Sequence, residues 1–373
     1  MFQMMWDRTM SKGDMQYLYA LVLHPLLSQR EVNAAKLRAV RKKRESFVRL
    51  GRYAMGPDGL WQQSLVFLSS TTPAQCCQTI FLLAAGGVLA VAVMPRDART
   101  LLVNYGARKA QTSPTDAPPK NVSDRGRLLS LIDVITSWTQ VPHSWFGAFY
   151  VVSLACSVFW LAQYLGDGVV LRFIASRQAA AQQPSATSGQ VVLGWLMMFL
   201  QGARRVFEHL TIIKPSKSTM WVVHWLLGLL FYLSISVSVW VEGSGAILNL
   251  MSHTDDAQSL MKMGVAVPTF LFAWVNQYRC HKHLAGLKKY SLPEGGMFDH
   301  YICPHYTCEC LLYLSMAIAT APRGVWCNRT LMCALIFVAV NLGVTASGTR
   351  KWYAEKFGIG PVANRWNMIP FVF

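Results

Sequence analysis

Gln277-Tyr278-Arg279-Cys280-His281, Pro293-Glu294-Gly295-Gly296-Met297-Phe298 and Cys303-Pro304-His305-Tyr306, followed by Glu309, interrupt an otherwise apolar region of this 373-residue chain. The chain then closes with Arg350-Lys351-Trp352-Tyr353 and Ile369-Pro370-Phe371-Val372-Phe373. Ionisable and hydrogen-bonding groups at membrane depth are costly, so they face a cavity, a partner or a ligand. Their recurrence over one compact stretch marks a binding site set among membrane-spanning helices.

Working outward, the chain is 53% apolar and only 14% charged, too hydrophobic for a soluble protein of this size. An apolar run of about 20 residues crosses a bilayer as a helix, because only a helix satisfies its own backbone in lipid. Seven runs qualify, at roughly 76–94, 145–165, 190–210, 220–241, 260–278, 307–321 and 325–346. The expected fold is therefore all-α and polytopic, with about seven transmembrane helices.

A net charge of +17 raises the question of nucleic acid, and its distribution answers it. If the first span runs inward, one set of connecting segments holds Arg96, Arg99, Arg108, Lys109, Lys120, Arg125 and Arg127, then Arg204, Arg205, Lys214 and Lys217. The same side holds Arg279, Lys282, Lys288, Lys289, Arg350, Lys351, Lys356 and Arg365, against only Arg172, Arg177, Arg323 and Arg329 on the other. That asymmetry is the positive-inside pattern; it predicts a cytoplasmic C-terminus and membrane lipid, not nucleic acid, as the partner.

The nine cysteines form no secreted disulfide framework. Cys280, His281, His283, Cys303, His305, Cys308 and Cys310 lack C-x₂-C spacing, so no metal site is expected. Residues 1–60 read as a basic N-terminal extension that includes Arg41-Lys42-Lys43-Arg44. Two readings of it stand: a poorly ordered segment preceding a shorter product from Met55, or a basic amphipathic helix lying on the membrane. Polar linkers fall at 110–128 and 177–189, and the sequons at Asn121 and Asn328 are poor acceptors beside a membrane.

Several blocks in fixed order carry a resemblance. They are Asn104-Tyr-Gly-Ala-Arg-Lys109, Val141-Pro-His-Ser-Trp-Phe-Gly-Ala-Phe-Tyr-Val-Val-Ser153, Gly202-Ala-Arg-Arg-Val-Phe-Glu208, Gln277-Tyr-Arg-Cys-His281, the Pro-Glu-Gly-Gly turn, Cys-Pro-His-Tyr and the terminal Ile-Pro-Phe-Val-Phe. Over roughly residues 100–373 the chain resembles the steroid 5α-reductase family, in its polyprenol reductase branch. The resemblance implies a multi-pass endoplasmic-reticulum enzyme that uses NADPH to saturate a carbon–carbon double bond of a long polyprenoid, serving dolichol synthesis and protein glycosylation. It implies a transmembrane domain over 61–373, with the cofactor-binding part at about 260–373.

Carried over by position, the family's cofactor contacts fall on Gln277, His281, Lys288, Tyr290, His305, Thr349 and Tyr353. Tyr290 and Tyr353 match the family. Gln277 and His305 stand in place of asparagines, Lys288 of an arginine, His281 of an aspartate and Thr349 of a histidine. The glutamate and tyrosine that hold a steroid ketone correspond to Gln140 and about Gly202, so a steroid-type carbonyl clamp is missing.

Read from the residues themselves, a nicotinamide enzyme needs anion binding, amide and aromatic contacts, and a proton source. Arg279, Lys288, Lys289, Arg350, Lys351 and Arg365 can supply the first; each also serves the positive-inside pattern. No G-x-G-x-x-G follows a strand, which excludes a Rossmann domain. Pro293-Glu294-Gly295-Gly296 reads as a turn that needs positive φ or close backbone approach. Glu309 is expected to pair with an arginine or a tyrosine.

Hydride addition to an alkene needs a group that accepts the resulting charge. An α,β-unsaturated aldehyde does so through its enolate and a free allylic alcohol does not, which points to polyprenal as the immediate substrate. His305, Tyr306 and Tyr353 are the candidate catalytic residues, as donors to the enolate oxygen. The competing readings are a 3-oxo-steroid or enoyl-lipid reductase, a membrane methyltransferase, and a non-enzymatic lipid-binding protein or transporter.

Overall fold

A computed structural model of the chain describes residues 71–95, 99, 139–213, 218–248, 256–288 and 291–373. The N-terminal extension, most of the 96–138 segment and Tyr290 lie outside the described residues. Helices dominate: α1 (Pro73–Ala92), α2 (Gly147–Leu165), α3 (Val169–Ala179), α4 (Ser188–Thr211), α5 (Val222–Val241), α6 (Ser244–Ile247), α7 (Ala257–Gly286), α8 (Pro304–Ala319), α9 (Arg329–Phe357) and α10 (Gly360–Ala363). Two short strands, β1 (Gln140–Pro142) and β2 (Thr219–Trp221), pair antiparallel with Val141 opposite Met220.

Among the described residues, four segments are long and apolar enough to cross a bilayer: Pro73–Ala92, His143–Leu165, Val222–Val241 and Arg329–Phe357. They surround a core in which Phe81 of α1 meets Phe231 of α5 edge-on at 5.7 Å and Phe231 lies 5.2 Å from Phe337 of α9. α7 packs along α8, α1 along α9, and α4 against both α2 and α8.

One end of the bundle is a layer of helix caps. Thr72 and Thr187 each accept from the amide three residues on, at 3.2 Å, while Gln75 and Gln190 return the bond to the cap amide, forming two capping boxes. Asn328 caps α9 by accepting from Thr330 N and Leu331 N at 3.0 and 3.1 Å. Asp256 caps α7, and the Ser259 hydroxyl and amide hold its carboxyl below the usual range. The carbonyls ending α8 are met by Gln190, at 2.8 Å to Ala319, and by the buried ammonium of Lys262, at 2.8 Å to Pro322. Gln178 at the end of α3 accepts from Ala74 N, and Thr330 donates to Glu242 past the end of α5 at 2.7 Å.

This layer gathers the starts of α1, α4, α7 and α9 with the ends of α3, α5 and α8. Helices α1, α2, α4, α5, α7, α8 and α9 therefore alternate in direction, and the ends of α4, α7 and α9 share the opposite end with the starts of α2 and α8. There the chain terminus is stitched down: Ile302 N and Cys303 N donate to Trp366 O and Asn367 O at 2.8 and 3.0 Å. Arg350 donates to the carbonyls of Ala363 and Arg365, and Arg365 donates to Pro293 O at 2.8 Å. Gly295 and Gly296 have φ of +91° and +61°, with open space where a Cβ would stand. Conformation rather than crowding calls for glycine there.

Several boundaries differ from expectation. The apolar run ending near 346 continues as helix to Phe357, placing Thr349 and Tyr353 on α9 itself. The run ending near 278 continues to Gly286, so Gln277 and His281 sit one turn apart on α7. α3 appears where the hydropathy reading has none, because its 11 residues include Arg172 and Arg177 and are too short to span.

Asn328→Ala removes a buried acceptor serving two amides and a 3.0 Å bond to the Thr320 hydroxyl. The expected cost is about 1–2 kcal/mol, read as a lower melting temperature of the full chain in detergent. An unchanged melting temperature would remove Asn328 from the account of this end.

Candidate functional site

Four helices bring ionisable side chains together at the end opposite the caps. Glu208 lies 0% exposed near the end of α4, where an unpaired carboxylate would be very costly. Arg205, one turn earlier, donates through Nη1 to Glu208 Oε2, and His281 Nδ1 of α7 reaches the same oxygen at 2.8 Å. Arg204 Nε faces Glu208 Oε1 at 3.5 Å, an ionic contact beyond hydrogen-bond geometry. The Arg205 Nη1–His281 Nδ1 approach of 2.7 Å is then a meeting of two donors on one carboxylate oxygen. The hydrogen-bond network assigns the imidazole proton to Nδ1, since an anionic oxygen is the stronger acceptor and a guanidinium accepts nothing.

The two arginines spread from this node. Arg204 donates to Gln201 Oε1 at 2.7 Å, to Gln277 Oε1 and to the Trp274 carbonyl, with its guanidinium 5.1 Å from the Trp274 ring centre. Arg205 donates through Nη2 to the Tyr150 hydroxyl and lies 4.6 Å from the centre of that ring. Gln277 Nε2 donates to Glu309 Oε2 of α8 and to His305 O at 3.3 Å, and Gln201 Nε2 reaches Glu309 Oε2 at 3.4 Å. Glu309 is thus held by two glutamines rather than by the arginine or tyrosine expected: the arginines are already committed to Glu208, and amides from α4 and α7 fill the gap. Two guanidiniums of α4 balance the carboxylates of Glu208 on α4 and Glu309 on α8.

A tight cleft, with about 10 Å³ of open room, lies beside this network. Tyr150, Gln201, Arg205, Tyr232, Glu309 and Tyr313 are among its lining residues. Ser153, Met198, Gly202, Leu312 and Met316 complete it. The arrangement suits a ligand with one polar atom and an apolar body.

Of the residues marked from sequence, Gln277, His281 and His305 come together at this network, with the His281 and His305 rings 5.6 Å apart. His305 Nδ1 is buried with no hydrogen-bond partner among the described residues. Tyr306, its ring 4.3 Å from that of His305, packs instead toward Tyr353 in a second cluster with Ile302, Cys303, Ala346 and Met368. Thr349 donates back to Thr345 O at 3.0 Å. Lys288 is exposed just past α7, as are Arg279 and Lys282 on its last turns, and Tyr290 lies outside the described residues. His305, Tyr306 and Tyr353 are absent from the cleft wall. Arg350 and Arg365 donate to backbone carbonyls near the chain terminus and at Pro293, and Lys351 pairs with Glu355 at 3.5 Å on the exposed face of α9.

Sequence reasoning missed Tyr150 and Tyr313, which look like ordinary aromatics of apolar spans. The one signal was Arg204-Arg205 three residues before Glu208: buried charges so placed need partners on neighbouring helices. Among the described residues, no three His, Cys, Asp or Glu side chains converge as a metal site would require.

Residues 219–373 match the family described as 3-oxo-5-alpha-steroid 4-dehydrogenase. The chain is 29% identical over 270 residues to "Polyprenal reductase 1" of Arabidopsis thaliana, covering 62% of this chain and 82% of that protein. It is 28% identical to "Polyprenal reductase" of Drosophila melanogaster over 64% and 79% of the two chains, and 28% identical to "Polyprenal reductase" of Xenopus tropicalis over 63% and 81%. The matched region supplies α5, α7, α8 and α9, and with them Gln277, His281, His305 and Glu309: over these residues the chain is similar to the steroid 5α-reductase family.

Proposed function

We propose that the chain is a multi-pass endoplasmic-reticulum reductase that uses NADPH to saturate the α-isoprene double bond of a polyprenoid, taken as polyprenal, on the way to dolichol for protein N-glycosylation. The observation that carries this reading is the buried, charge-balanced network beside a cleft with a polar wall and an apolar body, in a chain whose relatives are named polyprenal reductases. The alternating directions of α1, α2, α4, α5, α7, α8 and α9 support seven spans, with the site and the C-terminus at the basic, cytoplasmic side where a soluble cofactor arrives.

The donor set fits a nicotinamide dinucleotide. The unpartnered Nδ1 of His305, beside His281 and Gln277, suits a carboxamide, and exposed Arg279, Lys282 and Lys288 at the end of α7 suit phosphates. Thr349 and Tyr353 on α9 and Tyr290 complete the proposed contacts. The bound cofactor supplies a hydride. The protein's own part is to orient, to exclude water and to stabilise charge. Glu208 fixes Arg205 and His281, α8 brings Glu309 to the cleft, and the buried walls strengthen each electrostatic contact.

Detergent-solubilised full chain, given NADPH or NADH with polyprenal, polyprenol or a 3-oxo-steroid in turn, is expected to consume NADPH with polyprenal and to yield the saturated aldehyde by mass spectrometry. Turnover of the steroid alone would keep the family and replace the substrate, and efficient reduction of polyprenol with no aldehyde intermediate would sink the aldehyde reading. His305→Phe, which keeps a ring but removes the buried nitrogen, should weaken NADPH binding by about tenfold in a fluorescence titration, the worth of one hydrogen bond. Unaltered affinity would take His305 out of the cofactor site.

A further inference from the structure

The geometry points to Tyr150 as the catalytic residue that holds the aldehyde oxygen of the substrate and stabilises the charge that develops on it; this rests on the reductase reading above. The polar groups of the cleft wall differ in what they have left to offer. Arg205 points Nη1 at Glu208 and Nη2 at Tyr150, which holds its guanidinium against the protein, and Gln201 Nε2 points to Gln277 and Glu309. Glu309 receives two amide bonds, as an acceptor does. Tyr232 lies stacked on Phe149 at 5.9 Å and Tyr313 lies 5.9 Å from Phe231; among the described residues the guanidinium donates to neither.

Tyr150 differs in a specific way. A guanidinium has no acceptor, so Tyr150 Oη accepts the bond from Arg205 Nη2 and keeps its own proton to give. Among the described residues no acceptor takes that proton, and the residue lines the cleft. A cation donating to a phenol oxygen favours electron density there and makes the remaining O–H a stronger donor. Burial in a water-poor cleft raises the worth of that bond further. α4 packs closely on α2 there: a Cβ at Gly202 would stand 3.2 Å from Ser153 Oγ and 3.6 Å from Leu154 N, so α4 offers no competing side chain at that level. The donor to the substrate oxygen comes from α2 itself, three residues before Ser153.

The step balances without a covalent role for the tyrosine. A bound nicotinamide cofactor would supply the hydride for the new C–H bond at the β-carbon, and the alkene π pair would then move toward the carbonyl, leaving an enolate. Tyr150 donates a hydrogen bond to that oxygen while Arg205 supports the phenol from behind. Protonation of the α-carbon from water restores the carbonyl and yields the saturated aldehyde.

The test uses full-length protein with farnesal, a short isoprenoid enal, carrying a ¹³C-labelled carbonyl. Infrared difference spectra of farnesal bound without cofactor should show a carbonyl band shifted to lower frequency, and Tyr150→Phe should abolish that shift. Steady-state kinetics should show Tyr150→Phe lowering kcat by about a hundredfold to a thousandfold, the loss typical of one oxyanion donor, with NADPH affinity and melting temperature retained. Tyr232→Phe should cost at least about tenfold less, being a wall residue without the cationic partner. A Tyr150→Phe protein that keeps the carbonyl shift and its kcat while the wild type turns farnesal over would overturn the assignment and leave the reductase reading intact. A wild type that neither binds nor reduces farnesal or polyprenal would instead defeat the reading on which it rests.

Discussion

A single buried carboxylate organises the functional end of this molecule. Glu208 has no access to solvent and sits in a helix bundle with a large apolar surface. Removing a carboxylate from water costs several kcal/mol, and only close opposite charge with hydrogen bonds compensates for it. Arg205 and His281 converge on one of its oxygens and Arg204 faces the other. Because those partners belong to α4 and α7, the pairing fixes how the two helices sit. The arginines then reach outward, Arg204 to Gln201 and Gln277 and through them to Glu309 of α8, Arg205 to Tyr150 of α2. Four helices are thus tied by one balanced set of charges.

Helix capping and the cleft occupy opposite ends of the bundle. At one end capping boxes, Asn328, Asp256 and the buried Lys262 satisfy helix termini, with little left over for a ligand. At the other end polar groups face a cleft, and His305 Nδ1 is left without a partner. The alternating helix directions follow from this division. They also collect the ends of α4, α7 and α9, where cations are favoured by the helix dipole, on the side where a phosphate-bearing cofactor would bind.

How much could be read from the sequence depended on whether a feature was local. Apolar runs gave the helices because lipid leaves the backbone no other choice, and Gly295-Gly296 announced positive φ because few other residues adopt it. The clustering of Gln277, His281 and His305 was legible for the same reason: polar groups in apolar helices must converge on something. Which groups converge was not legible. Tyr150 looks no different from Tyr278 until Arg205 is seen beneath its hydroxyl, and Arg350 and Arg365 look like phosphate ligands until the terminus folds back onto them. Such pairings join residues far apart in sequence, and no local rule encodes them. The extension of α9 to Phe357 escaped for a different reason: its last turns are amphipathic, so the apolar run stops before the helix does.

We propose that this cleft reduces the carbon–carbon double bond of an isoprenoid enal and leaves the carbonyl alone. A single-turnover reaction with NADPH deuterated at the transferable position, followed by mass spectrometry and NMR of the lipid, tests it most directly. Deuterium at the β-carbon of a saturated aldehyde is the predicted result. Deuterium on the carbonyl carbon of an unsaturated alcohol, or none in the lipid at all, would contradict it.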